Sequence, residues 1–211
     1  MAVTALSERL GRRSRAEAKE GRPEVIMVSA ALAAARNSFV MPALATMPKP
    51  VVAAINGVAA GAGASLAFAC DFRILNEAAG FNLAFTGVAL SCDTGSSWTL
   101  PRLVGRAKAL ELLYFPRTLG SAESLELGLA TKVTSADEFE AEVSALAHRL
   151  ASGPTVSYGA IRRSVAFSAS HSFAESLEFE GSMMTLTGST EDHRNAVSAF
   201  VAKEQPVFRG Q

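Results

Sequence analysis

The 211 residues are 49% hydrophobic and 19% charged, which supplies enough apolar side chain to core one domain with an appendage. Lysine plus arginine and aspartate plus glutamate number 20 each, a balance that excludes the basic surface of a nucleic-acid binder or of a protein held to a membrane by charge. Cys70 and Cys92 follow no metal or redox spacing and read as small buried filler in a reducing compartment, and the stretch ERLGRRSRAEAKE near the start is unlike a signal peptide, so the expected location is the cytoplasm.

In chain order, residues 4–20 read as a charged helix and Glu24 to Met47 as a second, with Val25, Val28, Leu32 and Ala35 at helical spacing. Pro48 and Pro50 then open Val51 to Ile55, a short apolar run rich in β-branched residues that predicts a covered strand. Asn56-Gly57 turns the chain. Gly61, Ala62 and Gly63 follow, leading into Ser65 to Ala69, which has helix-forming composition. A helix start lined by small residues leaves its first N–H groups open to a ligand oxygen, although such clusters equally serve the close packing of two elements. Pro50 to Cys70 carries no charge, but its glycines, its asparagine and its strand-like opening argue against a membrane span.

Beyond this segment, Phe72 to Leu75 reads as a short strand, Asn76 to Asn82 as a loop, and Leu83 to Leu90 as an apolar segment along a pocket. Ser91-Cys92-Asp93-Thr94-Gly95 opens a helix that runs through Trp98 to Val104 and is closed by Gly105. Ala107 to Phe115 forms another, stopped by Pro116, and Ser121 begins a short one that Gly128 ends. Phe139, Val143, Leu146 and Leu150 mark the inner face of a helix ending at Gly153. After Pro154 the pattern is helical in three pieces, Thr155 to Phe167, Ser172 to Leu186 and Thr190 to Glu204, with Ser189 and Asp192 arranged as a cap for the last. His148, His171 and His193 lie in polar helical surroundings and read as surface residues.

Read whole, KPVVAAINGVAAGAGASLAFACDFRI resembles the signature of the crotonase family, also called the enoyl-CoA hydratase/isomerase family. The resemblance continues through FNLAFTGVAL, DTGSSWTLPRLVGRAKALELL, SAESLELGLATKV and AFVAKEQPVF. It implies an α/β fold, a crotonase-type ββα spiral over residues 1–153 that lacks the usual first strands. Residues 154–211 would form a C-terminal helical trimerisation region, giving a homotrimer often paired into a hexamer. The implied substrate is an acyl-CoA thioester, with coenzyme A as part of the substrate, no separate cofactor, no metal, and no nucleic-acid or membrane partner. In the family the thioester carbonyl sits between two backbone N–H groups. One maps onto Ala62, and the other comes from a loop that would lie ahead of the present first residue.

Adding water to a conjugated double bond uses two glutamates in the related hydratases, and their positions here are Ser65 and Phe85, neither able to serve as a base. The carboxylate that remains is Asp93 in SCDTGSSW, where the isomerase branch, including the phenylacetate-pathway ring-epoxide isomerase, carries its acid/base. Burial among Phe85, Leu90 and Trp98 is expected to hold Asp93 in an apolar setting that favours its protonated form. Its other reading is a cap of the helix that follows. Ala60, Gly61, Phe85, Leu90 and Trp98 are the expected substrate-binding positions. Phe200 and Lys203 match positions that touch the adenine and phosphates of CoA from a neighbouring subunit. Double-bond or ring-epoxide isomerisation by Asp93 is the leading function. The alternatives are a non-catalytic CoA-ester binder, a true hydratase, and a hydrolase with Ser65 as nucleophile, for which no partner histidine is placed.

Overall fold

The computed structural model describes residues 26–28 and 37–211. After β1 (Ile26–Val28) and α1 (Asn37–Thr46), the chain repeats one step: a strand in one sheet, a strand in a second sheet, then a helix. The first repeat is β2 (Val51–Ile55), β3 (Val58–Ala60) and α2 (Ala62–Phe68); the second is β4 (Phe72–Asn76), β5 (Gly80–Asn82) and α3 (Ser96–Tyr114). β6 (Leu119–Gly120), α4 (Ser121–Glu126), β7 (Lys132–Thr134) and α5 (Phe139–Ala151) complete the set of strands and lead out of it.

One sheet has the order β1-β2-β4-β7 and the other β3-β5-β6. β2 pairs parallel with β4, setting Val52 opposite Phe72, and β3 pairs parallel with β5, setting Val58 opposite Gly80, so the second repeat is stacked on the first. Parallel strands covered on both faces need continuous apolar sequence, and Val51, Val52, Ile55, Ile74 and Leu75 are all buried. The core continues through Leu66, Leu83, Leu100, Leu112 and Leu129, with Phe68 tilted against Phe81 at 4.9 Å between ring centroids.

One buried cation fastens this core. Arg73 on β4 is 7% exposed and donates from Nε to the Leu129 carbonyl (2.7 Å) and from Nη1 to the Cys70 carbonyl (2.6 Å). Burial pulls its pKa below the ordinary arginine value, opposed by Cys70 and Asp71, yet a guanidinium stays charged throughout the working range. Replacing it with methionine fills similar space but leaves two carbonyls without their donor. Arg73→Met is therefore expected to cost about 2–4 kcal/mol, read as a lower urea midpoint at unchanged slope. A loss under about 0.5 kcal/mol would mean that water satisfies those carbonyls instead.

Contacts divide the described chain into two compact units. The first holds residues 51–145 with α1 up to Ala45; the second holds 146–211 with residues 46–50. In the second unit α6 (Thr155–Ser168), α7 (Phe173–Gly188) and α8 (Glu191–Ala202) follow the end of α5. α6 packs on α7 through Phe167 stacked on Phe179 at 4.3 Å, and Arg162 reaches the Met47 carbonyl at 2.8 Å. No helix among the described residues is long and apolar enough to cross a membrane.

The elements differ from the sequence reading at β1, β3, β5 and the cap of the last helix. The expected helix over Glu24 to Met47 is a strand at Ile26–Val28 followed later by a helix from Asn37, because an apolar β-branched run beside an open sheet edge pairs with it. The expected helix at 4–20 lies outside the described residues. β3, and β5 within the expected loop 76–82, are too short to display an alternating pattern. The last helix is capped by Thr190, which accepts the His193 N–H, while Ser189 ends the preceding helix. Gly105 breaks α3 at φ 76°, as its place between two helical stretches predicts.

Candidate functional site

The start of α2 is fixed from below by strand pairing. Ala60 lies opposite Asn82, and the next N–H, that of Gly61, donates to the Asn82 carbonyl at 2.8 Å. Gly61 then takes φ 51° and ψ −118°, a conformation that side chains disfavour, and so turns the strand directly into the helix. No side chain caps this helix, and among the described residues no acceptor is found for the N–H of Ala62. The site where a Gly61 Cβ would stand is 3.7 Å from the Phe85 ring, so Phe85 abuts the same turn. Ser65 is fully buried and its hydroxyl donates to the Gly61 carbonyl at 3.1 Å, which removes it as a nucleophile and ties it to holding the turn.

A second turn carries the carboxylate. Thr94 (φ 52°) and Gly95 (φ 78°) are successive left-handed residues, and a β-branched residue in that region is rare outside strained, specialised turns. Thr94 donates its hydroxyl to Asp93 Oδ1 at 2.8 Å, and the Asp93 carbonyl accepts from the Ser96 N–H and hydroxyl. Helix α3 is capped by Gly95 without a side-chain bond, so the Asp93 carboxylate does not act as its cap.

The expected apolar burial of Asp93 is not what the structure shows. Asp93 is exposed, Leu90 is 62% exposed and Trp98 50%; only Phe85 is buried. Trp98 instead packs outward against its own helix, with the Arg102 guanidinium 3.2 Å from its ring centroid.

Beside Asp93 lies a cavity of about 540 Å³, lined by Phe85, Ser91, Cys92, Ser97, Pro101 and, along α3, Arg106, Ala109, Leu110, Leu113 and Tyr114. Phe85 borders both the Gly61–Ala62 turn and this cavity, and Ser91 and Cys92 bring the cavity to the residue before Asp93. Ala60, Leu90 and Trp98 do not line it. Cys70 is buried filler as expected, whereas Cys92 is half-buried and faces the cavity. The α3 wall went unread in the sequence, although 106, 109, 110, 113 and 114 fall on one helical stripe that would have found it. Phe200 and Lys203 belong to the second unit, Phe200 at 84% exposure and Lys203 as the left-handed C-cap of α8. His148, His171 and His193 are all exposed. Among the described residues no three His, Cys, Asp or Glu side chains are grouped to hold a metal ion.

Comparison with known proteins gives a consistent result. The enoyl-CoA hydratase/isomerase family matches residues 30–211. The chain is 38% identical over 168 residues to 1,2-epoxyphenylacetyl-CoA isomerase of Escherichia coli K12, covering 80% of this chain and 64% of that protein. It is 36% identical to 4-chlorobenzoyl coenzyme A dehalogenase-1 of Arthrobacter sp., covering 80% of this chain and 58% of the other. The crystal structure of enoyl-CoA hydratase from Bacillus anthracis superposes with a TM-score of 0.77 at 31% identity, covering 81% of this chain and 66% of that one. The chain thus spans 58–66% of the length of these proteins.

Proposed function

The chain belongs to the enoyl-CoA hydratase/isomerase family, and from the residues at its site we propose that it moves a double bond in an acyl-CoA thioester, from the 3-enoyl to the 2-enoyl position. One observation carries this reading. The two places where a hydratase needs water-activating carboxylates hold Ser65, buried and bonded to Gly61, and Phe85, buried against the same turn, while Asp93 stands on the second turn beside the cavity.

In this mechanism the Asp93 carboxylate takes a proton from C2 of the acyl chain. The electron pair passes into the thioester carbonyl, giving a dienolate whose oxygen accepts the Ala62 N–H. Collapse of the dienolate forms the C2–C3 double bond, and Asp93 returns the same proton at C4. Atoms and charge balance with one base, and no water enters. Phe85 and the α3 wall supply the apolar surface on which the acyl chain lies. A ring epoxide on a CoA-bound acyl group is a second substrate of the same kind, supported by the name of the Escherichia coli relative. The exposed Phe173, Met184, Phe200 and Val201 support assembly of the helical second unit into a homotrimer or hexamer.

The test is absorbance of the conjugated 2-enoyl thioester during incubation of the purified chain with a 3-enoyl-CoA. Growth of that absorbance is the expected result. Its absence with folded protein that still binds the thioester would replace isomerisation with the CoA-ester-binding reading.

A further inference from the structure

The segment between the two turns of the site is held by a hydroxyl that the mechanism does not use. Helix α3 ends at Tyr114, where the Phe115 N–H donates back to the Glu111 carbonyl at 2.9 Å and Pro116, next in the chain, brings no N–H. The last carbonyls of a helix have no partner within it, which leaves Leu113 and Tyr114 open to a donor from elsewhere. Thr86 supplies that donor. Its hydroxyl lies 3.1 Å from the Leu113 carbonyl and 3.3 Å from the Tyr114 carbonyl. Thr86, Leu113 and Tyr114 all line the cavity beside Asp93, so this bond joins one cavity wall to the other.

The same segment is tied at its other end. The Asn82 carbonyl accepts the Gly61 N–H, its Oδ1 accepts the Ala84 N–H at 3.0 Å, and its Nδ2 donates to Thr118 Oγ1 at 3.2 Å, just beyond α3. Residues 82–86 are thus pinned to the turn that opens α2 and to the end of α3. Phe85 lies between the pins, 8% exposed, against both the Gly61–Ala62 turn and the cavity. Its carbonyl accepts the Val88 N–H at 3.2 Å and the Leu90 N–H at 3.0 Å, with Ala89 at φ 56°. This compact turn delivers the chain to Ser91 and Cys92 on the cavity wall. All of these residues belong to the first unit.

We propose that Thr86 is a positioning residue: by bonding the Phe85 segment to the end of α3, it fixes the separation of the two cavity walls and so sets how tightly a long acyl chain is gripped. The inference rests on the acyl-CoA reading above. In that reading the reacting carbons lie at Ala62 and Asp93, whereas carbons beyond C4 have only the walls to contact. The tie therefore acts on chain length and not on the chemistry. Without it the walls stand apart for part of the time, and affinity falls with the fraction that remains closed. A wall that touches the chain alike in ground and transition state changes KM and leaves kcat alone.

The experiment is calorimetric binding of butyryl-CoA and decanoyl-CoA to the full 211-residue chain and to three variants. Thr86→Val keeps the branched shape without the hydroxyl, Thr86→Ala removes the same hydroxyl should the valine variant fail to fold, and Thr86→Ser keeps it. Thr86→Val should weaken decanoyl-CoA about three- to tenfold, as loss of one neutral hydrogen bond does, and butyryl-CoA by less than about twofold. Thr86→Ser should restore both wild-type affinities. With 3-decenoyl-CoA as substrate, Thr86→Val should raise KM by the same factor at nearly unchanged kcat. A merely structural role would shrink the folded fraction, giving equal losses for the two esters and a lower kcat at unchanged KM, and would overturn the inference. So would wild-type affinity for decanoyl-CoA in Thr86→Val. A chain-length-selective loss in a protein whose wild type turns over no 3-enoyl-CoA would overturn the isomerase reading and leave Thr86 in its role. Wild-type protein that binds neither ester would overturn both.

Discussion

Asp93→Asn is expected to lower turnover of a 3-enoyl-CoA by at least about a hundredfold while the thioester still binds. Asparagine has the size of aspartate and keeps a carbonyl oxygen for the Thr94 hydroxyl, and the bonds from Ser96 go to the Asp93 backbone carbonyl, which the substitution does not touch. The left-handed turn at Thr94 and Gly95 and the start of α3 should therefore survive, so that a loss of rate reports the loss of a base. The measurement is the initial rate of conjugation beside a calorimetric Kd for the same ester. Wild-type turnover in the variant would take Asp93 out of the mechanism.

The exposure of Asp93 makes that outcome more informative than a buried base would. Asp93 is exposed on its turn, where its Oδ1 accepts the Thr94 hydroxyl at 2.8 Å. Catalytic power must then come from placement of the substrate and from the opposing donor at Ala62. This is why the two turns have to be tested separately.

Much of this site was legible in the sequence because its parts are local. The strand Val51–Ile55, the Gly61–Ala62 turn and the break at Gly105 are each written in adjacent residues whose backbone preferences leave few choices. So are the helices after Pro154, whose boundaries fall within a few residues of those expected. What stayed hidden is what depends on a distant partner. Ile26–Val28 pairs with a sheet edge that its own spacing does not announce, so helical periodicity won the reading. Burial of Asp93 was inferred from apolar neighbours in sequence, yet Leu90 and Trp98 point outward and only Phe85 folds in. The Asp192 carboxylate accepts the Arg209 and Gly210 N–H groups from beyond a helix and a turn, and the sequence offered Asp192 only as a cap.

The complementary result concerns the oxyanion arm. Ala62→Pro is expected to cut turnover roughly 100- to 1000-fold, or about 3–4 kcal/mol of transition-state stabilisation, by deleting one N–H. Ala62 is the first residue of α2, the helical position where proline is best tolerated because its N–H has no partner within the helix. The residue before a proline is normally restricted, but Gly61 has no Cβ to clash, and half-exposed Ala62 leaves room for the ring. The substitution therefore removes a donor without removing the helix. Because the dienolate oxygen carries more charge than the ground-state carbonyl, kcat should fall far more than KM rises. Ala62→Gly, which keeps the N–H, is the control and should stay near the wild-type rate. Turnover of folded Ala62→Pro within about threefold of wild type would show that the enolate is held elsewhere, since a donor of this kind is worth far more than that. Loss in Ala62→Pro with retention in Ala62→Gly would tie the charge that Asp93 releases at C2 to one backbone amide at the start of α2.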